Sequence, residues 1–460
     1  MRRALLTLLA VTVYLSAACV HTVPQVRPAV QTPEAFRGTS PEGAPADDTQ
    51  WAAIFGDHTL QELITEALAG NDSLRVAAAR ILQAEAAVGI VSADGRPQVS
   101  AGGSASGQRL SDALGFPGRT IHPIQMQGSV AWEPDFWQRF RHATAAARAQ
   151  LVATEWGRRA VQVTLVEQVT SAYVRLRMLD AARAVALRTL AARQGALDLV
   201  NTREKGGAAT LLDVRQAEQL VRGAGVELMA LARDTEQLEN GLSLLLGRNP
   251  GPIGRPPAGE TWPRPDTLPA GLPADLLERR PDLQQIERQL DAAHAQVAVA
   301  KAAFFPRLAL TGLDGLQSSA LTSLFSGPAA IWTVGAALVT PVVTGGRLRS
   351  QQAMAEAREQ ELVATYQGAV RQAFREVADA LAAYRGARSI RDEQAALRVA
   401  AEQARRLAQL RYEGGATSFL EVLDADTRLF AADLGSVQAQ LSEQLALVAL
   451  YRALGGGWRP

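Results

Sequence analysis

Cysteine is almost absent from this chain: one residue, Cys19, in 460. An intrachain disulfide is therefore excluded. Aromatic residues make up only 5% of the sequence, so the chain is built around small and aliphatic side chains. An excess of one charge is also missing. The net charge is +1, from 47 basic and 46 acidic residues, so no basic surface argues for nucleic acid. The five histidines, His21, His58, His122, His142 and His294, are scattered and show no metal-ligand spacing. There is no phosphate-binding loop, and no acid–base or nucleophile set recurs. The serines around positions 100–106 suggest a nucleophile loop only in isolation; small residues of a strand are the simpler reading. An enzyme is not expected, and neither is a metal or a small-molecule cofactor. Proline is missing from 138–205 and from 347–413, and each stretch holds only two glycines. What is abundant is alanine, with leucine, arginine, glutamate and glutamine, a composition of long, closely packed helices.

The first residues differ from the rest. Arg2 and Arg3 precede a short apolar run, Ala4–Leu15, and then small residues lead to Cys19. Residues 1–18 read as a secretory signal peptide, too short for an ordinary membrane-spanning helix. A lone cysteine directly after such a site resembles a bacterial lipoprotein signal, in which the cysteine becomes the lipid-bearing first residue; a covalent lipid on Cys19 is the expectation. The alternative is an ordinary signal peptide with an incidental cysteine, and Ser16, standing where leucine is usual, favours it. An extended segment, 19–58, follows.

The chain repeats itself. Arg203–Val214 reads REKGGAATLLDV and Arg411–Val422 reads RYEGGATSFLEV, 208 residues apart. The same offset relates Arg139-Phe140-Arg141 to Arg347-Leu348-Arg349, Val169 to Val377 and Leu246-Gly247 to Leu454-Gly455. Upstream the offset is 209, relating Leu74 to Leu283, Ala84 to Ala293 and Pro97 to Pro306. The sequence is thus a duplication of one unit, 59–248 and 272–455. A Pro/Gly-rich linker, 249–271, lies between the copies, and a short tail, 456–460, ends the chain.

Within each unit the hydrophobic period changes. Residues 59–94 read as helix, with Leu60, Leu63, Ile64 and Leu68 on one face. Two alternating stretches follow, forming a strand pair within 97–133 in the first unit and 306–343 in the second. Val99, Ala101, Gly103 and Ala105 share a face, as do Ile124, Met126, Gly128, Val130 and Trp132. Trp132, Trp137 and Trp332 fit either a core or an interfacial aromatic belt. Next comes an uninterrupted helical stretch of about 65 residues, roughly 100 Å at ~1.5 Å per residue. It ends at Gly206-Gly207 in one unit and at Gly414-Gly415 in the other, where glycine takes the left-handed dihedrals of a helix C-terminus. Thr210 and Ser418, with Asp213 and Glu421 three residues on, suit the N-caps of returning helices. These glycines are the tips of two long helical hairpins.

Alternating ten-residue strands suit a transmembrane β-barrel, which must close so that no backbone edge meets lipid. Four strands cannot close, so oligomerisation is required. The stretches WAAIFGDHTLQELITEALAGNDSLRVAAARI, LPADLLERRPDL, AKAAFFPRLALTG, FREVADALAAY, RYEGGATSFLEVLDADTRLF and LYRALGGGW together resemble the TolC-like outer membrane factors, the exit ducts of bacterial efflux systems, and especially their lipoprotein branch. The resemblance covers the whole mature chain. It implies a mainly α fold with transmembrane β, in which a homotrimer forms a 12-stranded β-barrel continued by a 12-helix α-barrel. It also implies the outer membrane and its lipid as location, with the duct extending into the periplasm. The implied partners are a periplasmic adaptor, docked at the tips Gly206, Gly207, Gly414 and Gly415, and an inner-membrane pump. In the family, the closed periplasmic end carries a leucine, an aspartate four residues on and an arginine three beyond that. Leu420 and Asp424 fit the first two positions. Thr427 stands at the third, with Arg428 one residue further and rotated by about 100°, so the arginine of the lock is displaced. A ring of Asp424 carboxylates is expected to favour cations. The alternative function, a lipid-anchored trimeric helical structural or adhesive protein, has no use for the duplicated strand pairs.

Overall fold

The structure, a computed structural model, describes residues 28–30, 32–34, 36, 56–109, 120–257 and 273–456. The signal peptide, Cys19, most of the segment 19–58, the linker from 258 onward and the tail beyond Gly456 lie outside the described residues. The chain divides into two compact units, each drawing on both copies of the repeat. One takes residues 80–155 and 285–367, with 1–29; the other takes 30–79, 156–284 and 368–460. The repeats are therefore not separate domains.

The first unit holds the sheet. Its strands are β1 (Gln98–Ala105), β4 (Ile124–Trp132), β5 (Arg307–Ser318) and β6 (Ala330–Val339), and the order β1-β4-β5-β6 is antiparallel throughout. The two copies meet at β4 and β5, where Trp132 stands opposite Leu310 and Ile124 opposite Ser318. Two short strands, β2 (Gln108–Arg109) and β3 (Thr120–Ile121), pair separately. The register carries the expected alternation across the whole sheet. Val99 faces Val130, Val130 faces Gly312, and Gly312 faces Val334, forming one apolar face. The other face mixes polar and small residues with Leu313 and Ile331; on it the hydroxyls of Ser100 and Ser129 lie 2.8 Å apart across strands, which accounts for the serine-rich stretch.

The tryptophans divide between the two readings. Trp137 packs inward, stacked on Phe305 at 4.9 Å with its N–H donating to the Pro306 carbonyl. Trp132 donates to the Gly95 carbonyl, whereas Trp332 stands 76% exposed on the apolar face.

The helices are α1 (His58–Gly70), α2 (Asp72–Ala93), α3 (Arg139–Lys205), α4 (Leu211–Leu245), α5 (Pro273–Arg279), α6 (Pro281–Ala302), α7 (Arg347–Glu413) and α8 (Phe419–Ala453). The helix expected over 59–94 is in fact two. Asn71 breaks it: its side-chain oxygen accepts from the Ser73 and Leu74 N–H groups, capping α2, while its amide donates to the Leu245 carbonyl at 2.8 Å.

The long helices α3 and α7 each run 67 residues, and α4 and α8 each run 35. In the second unit, buried ionic groups fix the connections. Arg255 bonds Asp180 and Glu239, strapping the described part of the linker to α3 and α4. Arg280 bonds Asp282, Glu376 and the Ala453 carbonyl, tying the start of α6 to α7 and α8. Asp57, at the N-terminus of α1, receives the Tyr173 hydroxyl at 2.8 Å and lies 3.3 Å from Arg177. Burial is the main cause that pushes the Tyr173 hydroxyl up to about 12.

Candidate functional site

The two hairpin turns are built alike. Gly207 and Gly415 adopt φ of 74° and 72°. At each, the glycine and the alanine after it close the helix. Gly207 N–H donates to Glu204 and Ala208 N–H to Arg203 (2.9 and 2.8 Å); Gly415 donates to Tyr412 and Ala416 to Arg411 (3.1 and 2.8 Å). This is the left-handed C-terminal motif that a side chain at φ above zero would strain. Gly206 and Gly414 precede these turns, and all four glycines are exposed.

The returning helices differ in their caps. Thr210 and Asp213 form a reciprocal capping box. Ser418 makes no side-chain cap bond, and Glu421 turns instead to Arg411 at 3.3 Å.

Beneath the turns lies a small core of Val200, Val214, Ala217, Ala408, Tyr412, Phe419 and Val422. Tyr412 meets Phe419 at 5.4 Å, and the Arg203 guanidinium stands 4.5 Å over the Tyr412 ring and reaches the Tyr412 carbonyl. The Tyr412–Phe419 contact closes the second hairpin, and Arg203 joins the first hairpin to it. The repeat is not symmetric here: Phe419 is buried, whereas Leu211 at the equivalent position is exposed.

The proposed constriction residues lie on the first turns of α8. Leu420 is 59% exposed. Asp424 is exposed and receives Arg428 at 2.8 Å along the same helix. A rotation of about 100° thus does not remove the arginine from the aspartate, because a long side chain four residues on lies over the same face. Thr427 returns its hydroxyl to the Leu423 carbonyl. Asp426, also close in sequence, points elsewhere: it is part-buried, paired with the buried Arg193 at 2.8 Å, with Arg405 at 3.8 Å. Sequence reasoning missed this link. Its one local signal is an arginine, Arg193, within an alanine-rich stretch of α3.

The described histidines are not arranged as a metal-binding group. His294 bonds Glu359 at 2.7 Å, and burial lowers the proton affinity of His142. Among the described residues no group of three or more His, Cys, Asp or Glu side chains is arranged to hold a metal.

Comparison with known proteins identifies the arrangement. The outer membrane efflux protein family matches residues 63–248 and 272–456. Outer membrane protein OprJ of Pseudomonas aeruginosa is 37% identical over 453 residues, covering 96% of this chain and 93% of the relative. The cation efflux system protein CusC of Escherichia coli O6:H1 is 33% identical over 446 residues, covering 94% of each. Among solved structures, a membrane protein from Pseudomonas aeruginosa superposes with a TM-score of 0.89 at 35% identity, covering 96% and 98% of the two chains. The open-state MtrE outer membrane channel of Neisseria gonorrhoeae gives 0.84 at 30% identity, covering 95% and 98%. The chain belongs to the outer membrane efflux protein family, a family of channel proteins, and is an outer-membrane efflux channel subunit with a mainly α fold and transmembrane β-strands.

Proposed function

We propose that three copies of this chain close a twelve-stranded barrel and a twelve-helix tube, forming the passive exit duct of a tripartite efflux system. The observation that carries this is the four-stranded sheet, apolar on one face, whose outer strands β1 and β6 each have only one neighbour among the described residues. An open edge is not tolerated in lipid, and four strands are too few to close. Three copies pairing β6 of one to β1 of the next remove every edge. An adhesive stalk would give the sheet no purpose.

The duct performs no chemistry, and the pump in the inner membrane supplies the energy. A periplasmic adaptor docks at the turns around Gly206-Gly207 and Gly414-Gly415, where short exposed backbone caps the hairpins. Leu420 and Asp424 line the closed end, with Arg428 bound to the aspartate and Thr427 beside it. A lipid on Cys19 adds an anchor in the outer membrane.

Light scattering of the detergent-solubilised protein should give three chains per particle; a conducting monomer would overturn the trimer. Photo-crosslinkers at Ala208 and Ala416, beside the turns, should capture the adaptor in cells. Capture only from positions along the helix sides, such as Leu397, would move the docking site away from the tips.

A further inference from the structure

We propose that the lipid belt of this chain begins at the rung of the sheet holding Asp314 and Trp332 and ends below the strands, at the elbows Phe136 and Val342-Val343. Arg141, Arg347 and Arg349 then lie at the phosphate headgroups of the inner leaflet. The proposal rests on the reading of the sheet as a barrel wall.

The register sets the upper limit. Ala101, Gly128, Asp314 and Trp332 form one rung of the apolar face. Every described residue on that face nearer the helices is apolar: Val99, Val130, Gly312 and Val334, then Trp132, Leu310 and Ala336, then Leu308 and Leu338. Asp314 is the one charged side chain on this face, and it is exposed with no ion-pair partner among the described residues. A carboxylate on the lipid side is disfavoured in hydrocarbon but tolerated at its edge. An exposed tryptophan beside it suits the same interface.

The lower limit follows from length. Trp332 to the end of β6 at Val339 is seven residues. At ~3.3 Å per residue and a tilt of about 40°, that spans roughly 18 Å. A barrel's apolar band is about 25 Å tall, so several ångströms of hydrocarbon remain to be met. The residues just past the strands supply them. Val342 and Val343 are 88% and 89% exposed, and Phe136 is 64% exposed. Exposed apolar side chains this large, a few residues past the strands of a lipid-facing sheet, are explained by lipid rather than water.

Charge marks the boundary a second time. Both long helices open with the same Arg-x-Arg, at Arg139–Arg141 and Arg347–Arg349, and neither has an acid in its first turn. The helix dipole opposes cations at that end. Arg139 is matched by Glu133 at 2.9 Å, and Asp135 is engaged by the backbone N–H groups of Phe140 and Arg141. Arg141, Arg347 and Arg349 are exposed and have no ion-pair partner among the described residues. Lipid phosphates at this level supply one.

The test places nitroxide labels on single-cysteine variants of the full-length trimer in phospholipid vesicles, with Cys19 replaced and an ordinary cleavable leader. Labels at Val334→Cys and Val343→Cys should collide with oxygen and be shielded from a nickel chelate. Asp314→Cys should see both, and Ala416→Cys at a hairpin turn should see nickel freely. A Val343 label that sees nickel like Ala416, or is shielded from both quenchers by another copy, overturns the proposal. A Val334 label in water would instead overturn the barrel reading itself. In an Asp314→Leu chain the Val343 label should gain nickel accessibility, because no charge then pins the outer edge; an unchanged depth overturns the role given to Asp314.

Discussion

Arg193 and Asp426, 233 residues apart in sequence, meet at 2.8 Å, and their side chains are only 5% and 13% exposed. Arg193 also donates to the Leu220 carbonyl and stands 4.8 Å over the Phe430 ring, while Arg405 approaches the other Asp426 oxygen. One carboxylate thereby draws on all four hairpin helices, two residues after Asp424. A buried pair contributes little over an apolar substitute, but removing one partner leaves a charge stranded. Arg405 stays beside the carboxylate, so Arg193→Ala should cost about 1.5–3 kcal/mol, the range of a charged hydrogen bond, in denaturant unfolding of the trimer, and it should raise the resting conductance. The double variant Arg193→Met with Asp426→Leu should recover most of the stability. A loss below about 1 kcal/mol for Arg193→Ala, the value of an exposed pair, would show that the link is not a clamp.

Gln138 offers a test of the duplication at single-residue scale. It is the one non-glycine residue with positive φ among the described residues, at 60°, just before α3. The equivalent position before α7 is Gly346, with φ of 86°. Both carbonyls receive the N–H four residues on, from His142 and Ser350. The left-handed region costs a side chain about 1–2 kcal/mol, offset in part by the entropy glycine adds to the unfolded chain. Gln138→Gly should thus stabilise the trimer by about 0.5–1 kcal/mol, read as a higher unfolding midpoint. A lower midpoint would mean that the Gln138 side chain, not its backbone, matters there.

The features legible in the sequence were local in origin. Alternation in β1 and β4 assigned the faces, because a strand's period is two. The paired glycines marked both turns because left-handed dihedrals favour one residue type. Thr210 with Asp213 announced a cap three residues long. The features not legible depend on partners far along the chain. Asn71 caps the second helix locally, but its amide is held by Leu245, 174 residues away, which no window of helical periodicity contains. Arg193 finds Asp426 only once both hairpins are folded. Ser418 resembles Thr210 in sequence, yet Glu421 takes Arg411 instead, a choice made by the neighbouring hairpin arm. The division into two compact units was also hidden, because a duplicated sequence suggests halves side by side rather than halves that share one sheet.

Cys19 carries the anchoring prediction. Mass spectrometry of the mature N-terminus should show an acylated cysteine. A free thiol, or cleavage at another residue, would establish the ordinary signal peptide that Ser16 favours. The apolar face of the sheet does not depend on this lipid, so Cys19→Ala behind an ordinary cleavage site should still insert and conduct. Loss of membrane insertion in that variant would make the lipid part of assembly rather than an added tether.

The ion pair at the proposed constriction predicts how the duct selects charge. Three Asp424 carboxylates alone would favour cations, but each is matched by Arg428 at 2.8 Å on the same helix turn. Both groups are exposed in the single chain, so the pair itself adds only a few tenths of a kcal/mol to stability. Its effect lies in the local field, which the pairing largely cancels. Planar-bilayer reversal potentials should therefore show weak selectivity for the native trimer. Arg428→Gln leaves three unmatched carboxylates and should shift selectivity toward cations. Asp424→Asn leaves three unmatched guanidiniums and should shift it toward anions. Both shifts should shrink as salt is raised, because the Debye length falls from about 10 Å at 0.1 M to about 3 Å at 1 M. Leu420→Ala, which removes apolar bulk without changing charge, should raise resting conductance and leave the reversal potential in place. Reversal potentials that ignore both charge variants would put the constriction at another level of the duct. The narrowest ring would then be formed by neither Asp213, which is held in its capping box, nor Asp426, which is paired with Arg193.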